Sequence, residues 1–166
     1  FVLADLDADA DLDIVYITNQ DVMRCTNTGN WTFDAPVSIA ATVYFQELYA
    51  TDIDMDGQTD LLAHFNGSPL NMLRGIGGGA VQAPIAIADG AFRAVSISDM
   101  DLDGDPDLLC GTGDSRVTWL RNNGAGVLST AFITDPIHGR VDELDLSDLD
   151  GDGDLDILAG SSAGDA

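Results

Sequence analysis

The sequence contains no lysine, and its basic residues are six arginines against 29 acidic residues, which gives a net charge of -23. A chain this acidic repels phosphate backbones and anionic lipid surfaces, which argues against nucleic-acid or membrane partners. No stretch approaches the 18 apolar residues of a membrane-spanning helix, so we expect no membrane insertion. With 45% hydrophobic residues, the chain still has enough apolar material for a folded core.

Cysteine and histidine are scarce. Cys25 and Cys110 are too few for a disulfide framework and fit no zinc spacing, so we expect them to act as small buried hydrophobic side chains. His64 and His138 form no pair with metal-ligand spacing, and we expect both to be ordinary surface or loop residues. The motifs of serine hydrolases, P-loop nucleotidases and zinc proteases do not occur, so the sequence predicts no catalytic residues and no enzyme activity.

Glutamate is also nearly missing, since 27 of the 29 acidic residues are aspartate. A solubilising surface or a charged coil would use both acids, whereas turns and metal loops need the short carboxylate of aspartate. The 18 glycines and the absence of lysine disfavour an all-helical protein, and no window shows a helical period.

A nine-residue segment of the form D-x-D-x-D-G-x-x-D occurs four times, starting at residues 5, 52, 99 and 148. An alternating apolar stretch precedes each copy and a short apolar run follows it. Two further apolar runs, separated by polar or glycine-rich turns, complete each full unit. Four short strands in roughly 40–50 residues form one blade of a β-propeller.

The predicted fold is therefore all-β, with propeller blades of four antiparallel strands and about 3.5 blades in one propeller region. The repeats are expected over about 1–44, 45–91, 92–140 and, incomplete, 141–166.

The aspartate-rich loops predict metal sites, because four or five carboxylates within nine residues repel one another unless a cation lies between them. Ca²⁺ takes six to eight oxygen ligands, whereas Mg²⁺ keeps a strict octahedron with several waters, so Ca²⁺ is the expected ion, with up to four bound. Positions 1, 3 and 5 would supply carboxylates, position 7 its backbone carbonyl, and position 9 a closing, bidentate carboxylate. The predicted metal residues are Asp5, Asp7, Asp9, Asp11, Asp13, Asp52, Asp54, Asp56, Gln58, Asp60, Asp99, Asp101, Asp103, Asp105, Asp107, Asp148, Asp150, Asp152, Asp154 and Asp156.

The first loop departs from the pattern at position 6, where Ala10 replaces the glycine that a turn with positive φ favours. Alanine adopts the left-handed conformation at a cost of about 1 kcal/mol or more. We therefore expect the first site to be the weakest or to differ in geometry. EF-hand loops are excluded, since position 12 carries no acid in any copy.

The loop with its following apolar strand, together with the F-x-A-P element Phe33-Asp34-Ala35-Pro36, resembles the FG-GAP/VCBS repeats. This resemblance implies an integrin α-like calcium-binding propeller, usually of seven blades, with calcium in the blade hairpins and ligands bound by other loops. Seven blades need roughly 330 residues, and stacked blades bury their faces only against neighbours. We expect the remaining blades to come from the same longer chain or from another copy, and the start at Phe1 suggests processing or a longer protein.

The sequence thus predicts a non-catalytic, calcium-binding module, secreted or at the cell surface, for adhesion, protein binding or structural assembly. A protein or glycan at the cell surface is the expected partner. One alternative is a lectin-like propeller, for which Trp31 is the better sugar-stacking candidate because Trp119 is expected to pack within a strand. Others are a subunit of an extracellular filament or appendage, and an accessory domain of a larger secreted enzyme.

Overall fold

The structure is a computed structural model that describes residues 1–41, 45–134, 136 and 139–161. These residues form β-strands joined by turns, and no helix among them could span a membrane. The all-β prediction is confirmed. The strands, numbered in chain order, are β1 (Val2–Ala4), β2 (Asp13–Ile17), β3 (Asp21–Cys25), β4 (Val37–Ala41), β5 (Glu47–Thr51), β6 (Asp60–His64), β7 (Ser68–Leu73), β8 (Ile85–Ser98), β9 (Asp107–Thr112), β10 (Val117–Arg121), β11 (Ser129–Ile133), β12 (Glu143–Ser147) and β13 (Asp156–Gly160).

The chain divides into two compact units, and the first comprises Phe1–Phe65 with Leu70–Ala88. Its strands β1 to β4 form an antiparallel sheet in sequence order, which is the meander predicted for one blade. Strands β5, β6 and β7 pair in the same way. Inward-facing residues of these strands form the core of the unit, and its buried members are Ala4, Leu6, Val15, Val22, Leu61, Ala63 and Leu73.

The second unit comprises Asn66–Pro69 with Asp89–Ala166. Strand β9 pairs with β8 on one side and β10 on the other, and β11 pairs with β10. Strands β12 and β13 form a separate antiparallel hairpin. A smaller core of Leu109, Val117 and Val141 lies in this unit, with Trp119 packed against it, which confirms the packing role expected for Trp119.

Strand β8 is longer than the sequence suggests. Two separate strands are expected around residues 85–87 and 95–97, but Ile85–Ser98 is one continuous strand of 14 residues. Gly90 does not adopt a positive φ there, so the chain stays extended instead of turning. A bulge between Phe92 and Ala94 absorbs the change of register. The repeat boundaries drawn from the sequence stay predictions.

The expectation for His64 is wrong. Its ring is fully buried at the end of β6 and stacks on Tyr49, with the ring centroids 6.1 Å apart. All five residues of β6 are buried, so the histidine at the end of this strand is buried with its apolar neighbours. His138 lies outside the described residues. Both cysteines are free thiols; Cys110 is buried as expected, and Cys25 is half-buried.

Candidate metal centres in the aspartate loops

Each aspartate loop joins two adjacent antiparallel strands: β1 and β2, β5 and β6, β8 and β9, or β12 and β13. The strand pairing brings the two ends of the loop together. The residue before position 1 lies opposite the position 9 aspartate, as in the pair Thr51 and Asp60 and the pair Ser98 and Asp107. Carboxylates eight residues apart in sequence, at positions 1 and 9, therefore meet at the tip of one hairpin.

The position 1 aspartate folds the loop around its own carboxylate. In the second loop, Asp52 accepts hydrogen bonds from the backbone N–H groups of Asp56 at 3.0 Å and Gly57 at 2.8 Å. Asp5, Asp99 and Asp148 accept the equivalent pair of bonds in their loops. Such side-chain to backbone bonds are how a short acid shapes a turn, and they explain why glutamate is not used.

Two residues in every loop adopt a positive φ. Position 6 was expected to do so, and it does even where it is Ala10, with φ 75°. Position 4 does so as well, which the sequence did not indicate, because only the fourth loop has glycine there. The position 4 residues are Ala8 at 64°, Met55 at 56°, Leu102 at 61° and Gly151 at 78°. Three of the loops therefore carry left-handed strain of about 1–2 kcal/mol at a non-glycine residue.

The position 9 aspartate has a structural role that sequence reasoning missed. Asp107 is fully buried and accepts hydrogen bonds from the backbone N–H groups of Asn122 at 2.8 Å and Met100 at 3.2 Å. The indole N–H of Trp119 donates to the same carboxylate at 3.1 Å. Asp60 accepts the matching backbone bonds in the second loop. This residue ties the loop to the start of its strand and to the turn that follows the third strand.

The position 3 aspartate supplies oxygens that no hydrogen bond uses. Oδ1 of Asp7, Asp54 and Asp101 is buried and has no hydrogen-bond partner. A buried carboxylate oxygen without a partner is costly, so a native site of this kind implies a cation that the oxygen can bind.

In each loop, three carboxylates lie close enough together to hold one ion, with one oxygen from each within 4.8 Å of the others. In the last three loops the three come from positions 1, 3 and 9, whereas the first loop groups positions 1, 3 and 5. The groups are Asp5, Asp7 and Asp9; Asp52, Asp54 and Asp60; Asp99, Asp101 and Asp107; and Asp148, Asp150 and Asp156. The residues present therefore fit a divalent cation bound by oxygen ligands.

The other predicted ligands lie outside these groups of three. They are Asp11, Asp13, Asp56, Gln58, Asp103, Asp105, Asp152 and Asp154. The position 5 aspartates of the second, third and fourth loops orient the loop instead, as when Oδ1 of Asp56 accepts the N–H of Gln58 at 2.9 Å. That position 7 gives its backbone carbonyl to an ion stays a prediction.

Arginines neutralise part of the loop charge. Arg74 Nε lies 2.6 Å from Asp54 Oδ2. Arg121 pairs with Asp101 at 2.6 Å and with Asp103 at 2.9 Å, and its hydrogen bond lowers the pKa of Asp103. Burial has the opposite effect on Asp60, where desolvation raises the carboxyl pKa. The second and third loops thus still carry more negative charge than their arginines offset.

Antiparallel meanders of short strands, with a carboxylate cluster at each hairpin tip, define the chain as a β-propeller-type repeat protein with candidate metal centres. The model of the FG-GAP-like repeat matches residues 5–63 and 99–159, which is more than half of the chain. The chain belongs to the FG-GAP-like repeat family, and the resemblance seen in its sequence is confirmed.

Two solved structures share the fold. A lectin of Agrocybe aegerita, described for its specific recognition of non-reducing terminal N-acetylglucosamine, is similar with a TM-score of 0.71 and 24% identity over 95% of this chain. A Tc holotoxin pore of Photorhabdus luminescens is similar with a TM-score of 0.62 and 20% identity, also over 95% of this chain. The chain spans 45% of the lectin chain and 8% of the toxin chain. Among curated proteins, none matches this sequence.

Proposed function

We propose that the aspartate loops bind Ca²⁺ and that calcium holds the blade hairpins in place. The observation that carries the proposal is the buried, unpartnered Oδ1 of Asp54 and of Asp101, each beside two further carboxylates. The groups consist of aspartates alone, and all-oxygen ligand sets suit hard cations, whereas zinc and copper sites use histidine and cysteine. Loops of this kind suit the millimolar calcium found outside cells.

Bound calcium would supply positive charge where the chain concentrates negative charge. The residues of the chain do the rest: position 1 shapes the loop, position 3 presents a free oxygen, and position 9 fixes the loop to its strands. The hairpin that carries the loop also contributes buried side chains to the core, such as Leu61 in β6. Calcium bound at the tip would therefore raise the stability of the packed unit and not only of the loop.

We propose further that the module is non-catalytic and works outside the cell as a binding, adhesion or assembly element. The carboxylates of the loops are engaged in turns and clusters, and no histidine or cysteine belongs to the described clusters. His64, one of two histidines, is enclosed in the core and cannot reach a substrate. Aspartate loops of this kind suit the calcium concentrations found outside cells, which favours a secreted or cell-surface protein.

Calcium titration of the full chain tests this proposal. Asp54→Asn removes one charge at the second loop while keeping the side-chain volume, and Asp34→Asn makes the same change at an exposed aspartate outside the loops. We expect wild type and Asp34→Asn to gain the same rise in melting temperature with millimolar calcium, and Asp54→Asn to gain less. Equal melting of the wild-type protein in calcium and in chelator would contradict the proposal.

A second candidate function, glycan binding, is favoured by one side chain. Trp31 is 84% exposed at the tip of a turn and adopts a φ of 57°, so the turn holds a large aromatic ring in solvent at some conformational cost. Exposed aromatic rings stack on sugars. A glycan array should then show binding that Trp31→Ala abolishes and that Trp119→Phe, a change at a packed tryptophan, retains. Binding that survives Trp31→Ala, or no binding by the wild-type protein, would exclude this role for Trp31.

A further inference from the structure

The carboxylates of the first loop lie close to a positively charged side chain of the same chain, that of Arg24. Arg24, on β3, places Nη1 3.6 Å from Oδ2 of Asp7 and 3.8 Å from Oδ2 of Asp13. The guanidinium is enclosed, with 13% of the side chain exposed, and the Asp13 side chain is fully buried. One positive charge therefore lies between the position 3 and position 9 carboxylates, two of the three positions that form the group in the other loops.

The same position of the third strand is uncharged in the next two repeats. Arg24 lies opposite Val15 in the sheet, as Met72 lies opposite Leu62 and Trp119 opposite Leu109. Met72 brings no charge to its loop. Trp119 brings only an N–H, which donates to Asp107. In these repeats the arginine comes two residues later, as Arg74 and Arg121, where the side chain is 41% or 49% exposed.

The first loop differs around this arginine. In the other three loops, Oδ2 of the position 9 aspartate accepts the backbone N–H of position 2 at 2.9–3.2 Å. Oδ2 of Asp13 has no hydrogen-bond partner and faces Arg24 instead. Asp13 is also the one position 9 residue outside the group of three carboxylates of its loop. The loop with the enclosed guanidinium is therefore also the loop whose position 9 carboxylate lacks the hydrogen bond from position 2 and lies outside the carboxylate group.

Gly79 encloses the guanidinium. A Cβ at Gly79 would lie 1.0 Å from Nη1 of Arg24, so the guanidinium occupies the space that a side chain there would take. The backbone N–H of Gly79 donates to the carbonyl of Leu6, within the first loop, at 3.0 Å. The backbone that encloses the guanidinium is thus bonded to the loop, whereas the Arg74 side chain of the second repeat is 41% exposed.

We propose that Arg24 is the resident cation of the first loop, so that this loop takes no Ca²⁺ while the other three do. This inference rests on the proposed calcium binding. A calcium ion among these carboxylates would face an enclosed positive charge, and Asp7 and Asp13 are already partly neutralised. The chain would then carry one hairpin that closes without calcium and three hairpins whose closure depends on calcium.

Counting bound calcium in the full chain tests the inference. Asp5 and Asp52 are matched position 1 residues with the same two backbone bonds, so Asp5→Asn and Asp52→Asn are equivalent changes. After equilibrium dialysis against millimolar calcium, we expect Asp52→Asn to bind one calcium fewer than wild type and Asp5→Asn to bind the same number. Arg24→Met, which copies the residue of the second repeat, should bind one more.

A loss of one calcium in Asp5→Asn, equal to the loss in Asp52→Asn, would overturn the inference and leave the proposed function standing. Wild-type protein that binds no calcium would contradict the proposed function itself. If Arg24→Met fails to fold, the two aspartate variants still decide between these outcomes. A folded Arg24→Met protein with the wild-type calcium count would also overturn the inference.

Discussion

Replacing either of two aspartates in the third loop should lower the free energy of unfolding under different conditions. Asp107 holds the loop to the sheet, so its loss should matter with and without calcium, whereas Asp101 presents a free oxygen, so its loss should matter mainly with calcium. Asp107→Ala takes the acceptor from two backbone N–H groups and the Trp119 indole N–H. Each donor left without a partner costs about 1–3 kcal/mol, so the free energy of unfolding should fall by about 3 kcal/mol or more. This loss should appear in chelator as well as in calcium.

Asp101→Ala removes a carboxylate whose Oδ1 has no hydrogen bond and whose Oδ2 pairs with the half-exposed Arg121. Arg121 keeps its contact with Asp103, so in chelator the free energy of unfolding should change by less than about 1 kcal/mol. With calcium at about 100 times Kd, the lost site should cost about 2.7 kcal/mol. Urea unfolding of both variants with and without calcium measures all four values. An Asp101→Ala loss in chelator as large as that of Asp107→Ala would refute the division of roles.

Three further changes test other parts of the structure. Burial lowers the pKa of His64, so below about pH 6.5 the unfolded state binds more protons than the folded state, and the free energy of unfolding should decrease as the pH is lowered. His64→Gln should therefore lose less stability than the wild-type protein between pH 7 and pH 5. The same pH profile in both proteins would contradict this. Leu102 is 78% exposed and has a φ of 61°, so Leu102→Gly should raise the free energy of unfolding by up to about 1 kcal/mol and Leu102→Ala should change it little. Equal stabilities of the two variants would argue against backbone strain. Gly111→Ala would place a Cβ 2.5 Å from Val141 Cγ1 and should cost about 1–3 kcal/mol by thermal melting; a neutral effect would show that this core can adjust.

The repeated pattern of the sequence was enough to predict the blade. The D-x-D-x-D-G-x-x-D spacing placed the hairpin tips, and the apolar runs around it located the strands of the first sheet, such as β2 at Asp13–Ile17. The sequence did not predict the continuity of β8, since Asp89-Gly90 is a common turn signal that the surrounding strand pairs override. His64 was also misplaced, because one polar residue in a short apolar run gives no sign of its burial.

The loop chemistry was predictable by position but not by role. Sequence spacing indicates that the four acids of the second loop lie together, yet hydrogen bonds distinguish Asp52, which shapes the turn, from Asp54, which has a free oxygen. The position of Arg24 depends on which strand positions face the loop, and this requires the register of β2 and β3. Charge composition alone cannot separate an enclosed arginine from an exposed one.

The most direct test of calcium binding is an anomalous-difference map from crystals of the full chain grown in millimolar calcium. We expect a calcium peak among Asp52, Asp54 and Asp60 and at the matching carboxylates of the third and fourth loops. In the first loop we expect the Arg24 guanidinium and no calcium peak. Peaks absent from the second, third and fourth loops would contradict the central claim that these aspartates hold calcium.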